Sequence, residues 1–190
     1  YDYAGQRPLR LLVLGGSLGA QPINDVLPGT LRAIRAGGQQ LEVWHQTGEA
    51  HVAAVRASYG ELLGESLQVV AFIEDMAAAY GWADLAVCRS GALTVTELAA
   101  AGVPAILVPF PAAVDDHQTR NAQYAVQAGA AKLLPEGNLT PVSLAALLRT
   151  LLEAGRPLLV RMAVAARASA IVDADERLAD ACMQAAGEAA

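Results

Sequence analysis

Lysine is almost missing from this chain. Lys132 is the single lysine among 13 basic residues scattered over 190 positions, and the net charge is −6. That scatter excludes the clustered positive stripe a nucleic-acid surface requires, and the arginine bias is assigned to a GC-rich genome rather than to function. Cysteine is scarce too: Cys88 and Cys182 have no metal-ligand spacing, which excludes a disulfide framework and leaves two thiols of a reducing compartment. Aromatic residues make up only 5%, and although 54% of the chain is hydrophobic no apolar run approaches the roughly 18 residues of a bilayer-spanning helix. There is no signal-peptide pattern, and Tyr1 stands where an initiator methionine would, so the sequence is expected to begin mid-polypeptide.

What is present is a regular alternation of strand and helix signals. Apolar strands are predicted at Leu9 to Leu14, Leu41 to His45, Leu67 to Ala71, Asp84 to Cys88, Ala105 to Val108 and Ala131 to Leu134. Helical stretches lie between them at about Asn24 to Ile34, Glu49 to Ser58, Glu74 to Tyr80, Leu93 to Ala101 and Gln118 to Ala128. Strands apolar on both faces and separated by single helices imply an α/β fold, a Rossmann-like doubly wound parallel sheet of about six strands. Beyond Lys132 only helices follow: one capped by Thr140 with Pro141 in its first turn and running to about Ala154, one from Pro157 to about Val172, and one from Ala174 to Gln184.

In such a sheet ligands bind at the carboxyl ends of the strands, where strand order reverses. The stretch from Val87 to Glu97 stands out there, a buried strand ending in the small-residue turn Arg89-Ser90-Gly91-Ala92 before a helix opens. Small side chains leave the backbone amides accessible, and the helix start adds unpaired N–H groups and the positive end of a dipole, a seat for a diphosphate. Thr94 and Glu97 share one face, and Glu97 lies about one turn, roughly 5.4 Å, along the axis, where a ribose attached to that diphosphate would lie. The same residues also fit a capping box with Thr94 as N-cap and Glu97 as its reciprocal acceptor, which needs no ligand.

Other loops of this edge carry weaker signals. Gly15-Gly16-Ser17-Leu18-Gly19 is a glycine turn suited to an anion, but its spacing is not G-x-G-x-x-G, and no acid follows the second strand to hold an adenosine ribose. Phe72-Ile73-Glu74-Asp75-Met76 offers apolar surface and backbone groups for a planar base, or simply a helix start. Gln118 and Asn121, three apart on one helix turn, present amides suited to sugar hydroxyls, with Asp115 and Asp116 as N-cap and first-turn acids and His117 as a wall residue. No chelating acid pair stands beside the phosphate turns, so neither metal nor cofactor is expected.

The ordered set Leu14 to Gln21, His45-Gln-Thr-Gly48, Val70-Ala-Phe-Ile73, Val87 to Glu97, Pro109-Phe110, Asp116-His-Gln-x-x-Asn121 and Gly129-Ala-Ala131 closely resembles the C-terminal half of the MurG family. These are bacterial N-acetylglucosaminyltransferases that complete lipid II in peptidoglycan assembly, and the resemblance covers roughly residues 9 to 185. It implies one half of a GT-B fold and a UDP-N-acetylglucosamine donor site. Residue by residue it implies that Ser17 meets phosphate, Ile73 reads uracil through its main chain, and Ala92, Leu93 and Thr94 lie against sugar and diphosphate, with Gly16, Met76, Val95 and Thr96 also among the substrate-binding residues. Glu97 would take the ribose hydroxyls, and Gln118 the N-acetylglucosamine with Asn121 next to it. The loop between Phe110 and Gln118 is one residue longer than the family pattern, which leaves Asp115 and Asp116 without assigned contacts.

The resemblance also implies a partition into an interdomain linker remnant at 1–8, a nucleotide-sugar-binding domain at 9–155, and helices at 156–190 that pack back on an N-terminal domain absent from this chain. The absent domain would supply the catalytic base, the lipid I acceptor site and the contact with the cytoplasmic face of the inner membrane, so the chain alone should bind donor in the cytoplasm but transfer it slowly or not at all. Alternatives that share the fold are an NAD-dependent dehydrogenase domain, opposed by the glycine spacing, a nucleotide-sugar epimerase, and a stand-alone nucleotide-sugar sensor.

Overall fold

A computed structural model describes residues 7–16 and 19–188. Six parallel strands, β1 (Leu9–Leu14), β2 (Leu41–Gln46), β3 (Leu67–Val70), β4 (Leu85–Cys88), β5 (Ala105–Leu107) and β6 (Ala131–Leu133), form one sheet in the order β3-β2-β1-β4-β5-β6. Order therefore reverses between β1 and β4. Leu14 pairs with Gln46 on one side and Cys88 on the other, so three strands end level at that point.

The strands read as unbroken apolar runs because helices cover both faces. Leu11 and Val13 of β1, Leu85 and Val87 of β4 and Ile106 of β5 enter one core, whereas Leu12, Leu14, Ala86, Cys88, Ala105 and Leu107 enter the other. This is the two-residue side-chain period of a strand expressed with apolar residues at every position. The first core is closed by α1 (Gln21–Ala36), α2 (Val52–Tyr59) and α6 (Pro141–Ala168); the second by α3 (Met76–Trp82), α4 (Ala92–Ala101) and α5 (His117–Gln127). A last helix, α7 (Ala174–Glu188), follows. Among the described residues, no helix is long and apolar enough to cross a membrane.

Several helices differ from expectation in their bounds, α2 starting at Val52 rather than Glu49 and α3 at Met76 rather than Glu74. α1 starts at Gln21 rather than Asn24, because Pro22 falls in its first turn, where the missing amide costs no hydrogen bond. The two helices expected from Pro141 and Pro157 run as one element broken at Gly155, whose φ of 70° and ψ of −174° turn the axis before Pro157 resumes it. The second part ends at Ala168 instead of Val172. Its residues Leu159, Met162, Ala163 and Ala166 are buried in this molecule. The described side chains of α7 up to Gln184 are exposed.

Candidate functional site

At the point where strand order reverses, Gly15 follows β1 and donates to the carbonyl of Gln46 at 2.9 Å, extending the ladder one residue past the strand. Gly16 then turns with φ +74° and Gly19 with the same φ, a left-handed conformation that disfavours a side chain. At Gly19 a Cβ would lie 2.5 Å from both the His51 ring and the Thr47 carbonyl, so the turn could not close on any other residue. Ser17, the expected phosphate contact, lies outside the described residues. Both backbone groups of Gly16 are clamped by the Gln46 side chain: Oε1 accepts from the Gly16 amide and Nε2 donates to the Gly16 carbonyl, each at 2.9 Å. The same Nε2 donates to Ala71 O at 3.0 Å, tying the glycine turn to the loop that carries Phe72 and Ile73.

Across the crevice, α4 opens on Gly91, not on Thr94. Gly91 is the N-cap in extended conformation with no side-chain cap, which removes the capping-box alternative: Thr94 is already inside the helix. Val95 donates the first intrahelical bond to Gly91 O, so the amides of Ala92, Leu93 and Thr94 face outward at the helix start, as any first turn requires. Glu97 is exposed one turn on, and its Oε2 accepts a hydrogen bond of 2.8 Å from the Tyr80 hydroxyl.

The turn before α4 is braced from several sides. Arg89 donates to the carbonyls of Val108 and Pro109 at 3.2 and 3.1 Å, pairs with Glu136, and lies 5.4 Å from the centre of the Phe110 ring. Ser90, wholly buried, donates to Gln118 O at 2.8 Å, and Asn121 Nδ2 donates to Ser90 O at 3.0 Å. Gln118 Oε1 accepts from the Phe110 amide at 3.0 Å, so the acceptor half of that amide already holds the loop. Asp116 occupies the N-cap position of α5 but makes no capping hydrogen bond with its side chain; it and Asp115 have φ of 54° and 50°, in the left-handed region.

Together these elements enclose a cavity of about 340 Å³, walled by Gly16, Ile73, Met76, Thr94 and Glu97 of the expected set. Expected residues Ala92, Val95, Thr96 and Asn121 line a different hollow on the far side of α4, where Thr96 is turned back to bond Ala92 O. Leu93 is 80% exposed. Gln46, Arg89 and Tyr80 also wall the first cavity and were not among the expected contacts. Tyr80 follows Met76 by four residues on α3, so a shared face was legible, but its reach to Glu97 depends on the packing of α3 against α4. A groove of about 380 Å³ at the opposite end of the strands, beside Leu31, Leu41 and Leu67, is mainly apolar and lacks a helix start or glycine turn. Among the described residues no group of three or more His, Cys, Asp or Glu side chains is arranged to hold a metal ion.

Residues 10–178 match the family described as glycosyltransferase family 28 C-terminal domain. The chain belongs to that family. Its similarity extends to named relatives that are UDP-N-acetylglucosamine--N-acetylmuramyl-(pentapeptide) pyrophosphoryl-undecaprenol N-acetylglucosamine transferases. The one from Chromohalobacter salexigens is 56% identical over 97% of this chain and 50% of its own length. The one from Aeromonas hydrophila subsp. hydrophila is 54% identical over 94% of this chain and 48% of its own. The crystal structure of Acinetobacter baumannii MurG superposes with a TM-score of 0.85 at 44% identity, covering 95% of this chain and 51% of that one. This family 28 domain thus spans about half the length of the curated relatives it matches.

Proposed function

We propose that this domain binds UDP-N-acetylglucosamine and is the donor half of an inverting transferase that delivers N-acetylglucosamine to lipid I. The observation that carries the proposal is the convergence of Gly16, Ile73, Thr94 and Glu97 on one cavity at the strand-order reversal. Uracil would rest against the Phe72-Ile73 loop, the diphosphate between the Gly16 turn and the start of α4, and the ribose hydroxyls on Glu97. Gln118, with its Oε1 committed to Phe110, would offer the sugar its NH2 group. As UDP departs, negative charge grows on the diphosphate, and amides fixed before reaction stabilise it without reorganisation; losing one such donor typically costs about 10²–10³ in rate.

The names of the relatives, which print an N-acetylmuramyl-(pentapeptide) pyrophosphoryl-undecaprenol as the group that receives N-acetylglucosamine, support lipid I as acceptor. Acceptor, catalytic base and membrane contact would belong to the half of those proteins that this chain does not span. Calorimetric titration of the chain with UDP-N-acetylglucosamine, UDP, ADP and NAD tests the reading. Binding of the two uridine ligands alone is expected, with Glu97→Gln weakening UDP by about 1.5–3 kcal/mol, the range for a hydrogen bond to a charged group. Preference for NAD, or equal UDP affinity in Glu97→Gln, would overturn it.

A further inference from the structure

Tyr80 is given no ligand contact in the donor site as proposed, yet it walls that cavity and its hydroxyl bonds Glu97. Tyr80 of α3 is 6% exposed and packs in the core beside α4, while its hydroxyl donates to Glu97 Oε2 at 2.8 Å at the wall of the cavity. Glu97 is exposed on α4, and an exposed glutamate has three free torsions. A carboxylate has about four lone-pair positions, so one bond from Tyr80 restrains the group through Oε2 and leaves Oε1 and the rest of Oε2 open. Burial, then the bond to Glu97 and its charge, raise the pKa of the phenol, so the hydroxyl remains a proton donor at any pH at which the protein works.

We propose that Tyr80 is the positioning residue that sets ribose specificity: it holds Glu97 in the orientation from which one carboxylate takes two vicinal hydroxyls, and so separates ribonucleoside from deoxyribonucleoside diphosphates. The inference rests on the donor reading of this cavity. Its physical basis is pre-organisation. A carboxylate already immobilised in the free protein loses less conformational entropy on binding, and a planar acceptor of fixed orientation matches two hydroxyls at once. A freely rotating Glu97 could still accept from one hydroxyl, which is all a deoxyribose offers.

The test is titration of the chain and of Tyr80→Phe with UDP and 2′-deoxy-UDP. The phenyl ring keeps its packing, and only the donor is lost. The wild type is expected to prefer UDP about tenfold or more, and Tyr80→Phe to bind UDP about 3–10-fold more weakly with 2′-deoxy-UDP little changed, so that the preference collapses toward one. In a Glu97→Gln background the same substitution should leave the ratio where it is. Because the ratio is read between two ligands of one sample, any loss of folded protein cancels from it. A wild type that does not distinguish the two nucleotides, or binds neither, overturns the ribose reading of Glu97 and this inference with it. A wild type that distinguishes them and a Tyr80→Phe that does so equally overturns the role of Tyr80 alone.

Discussion

His45 shows how a single residue's surroundings dictate its state. It is fully buried at the end of β2, with Nδ1 2.8 Å from the Tyr59 hydroxyl and Nε2 3.0 Å from Asn24 Oδ1. Asn24 spends its NH2 group on Thr47 O, so Oδ1 must accept; Nε2 therefore carries the proton, and Nδ1 accepts from Tyr59. Burial raises the pKa of the Tyr59 phenol, which keeps that donor in place, and lowers His45 from 6.5 to about 3. The unfolded chain consequently takes up the proton first as pH falls below about 6.5, and His45 contributes stability that is complete above that value and declines toward pH 3. The expected slope is up to about 1.4 kcal/mol per pH unit in that window. Urea unfolding of the wild type and His45→Gln from pH 4 to 7 isolates this contribution from that of the carboxylates. The variant should show the shallower dependence, and identical slopes would remove His45 as its source.

At the scale of elements, the break in α6 is the feature with the sharpest sequence cause. Gly155 combines φ of 70° with ψ of −174°, a region essentially closed to residues with a Cβ, and Pro157 cannot supply an interior helix amide. The bend lays Leu159 and Met162 onto the core that Leu144, Leu148 and Leu151 already cover. Gly155→Ala should cost about 1–3 kcal/mol from backbone strain, a fall of roughly 2–12 °C in melting temperature for a domain of this size. An unchanged melting temperature would mean that the two parts of α6 can join by another route. The strands were legible almost to the residue because burial on both faces leaves a continuous apolar run that helices do not imitate at this length. Glu97 was legible because it stands one turn into a helix that begins at a glycine turn. Gln46 and Tyr80 were not, because their bonds to Gly16, Ala71 and Glu97 join segments 17 to 30 residues apart and exist only after the sheet and its helices have packed.

For the molecule as a whole, the decisive asymmetry lies between the sheet and the tail. Both faces of the sheet are closed by this chain's own helices, whereas beyond Ala168 the side chains of Ile171, Val172, Leu178 and Met183 are 52–76% exposed. Burying such residues is worth roughly 1.5–3 kcal/mol each, so a folded chain that leaves four of them in water has forgone a contribution available through a partner surface. The relatives this chain matches have about twice its length. In isolation the same side chains should drive weak self-association. Sedimentation equilibrium at rising concentration is expected to show reversible dimerisation, and replacing Ile171, Val172, Leu178 and Met183 together by serine should abolish it while UDP affinity stays unchanged, because none of the four walls the cavity proposed for the donor. A variant that associates as the wild type does would show that the tail is not the sticky surface; one that loses UDP binding would show that the tail reaches the donor site.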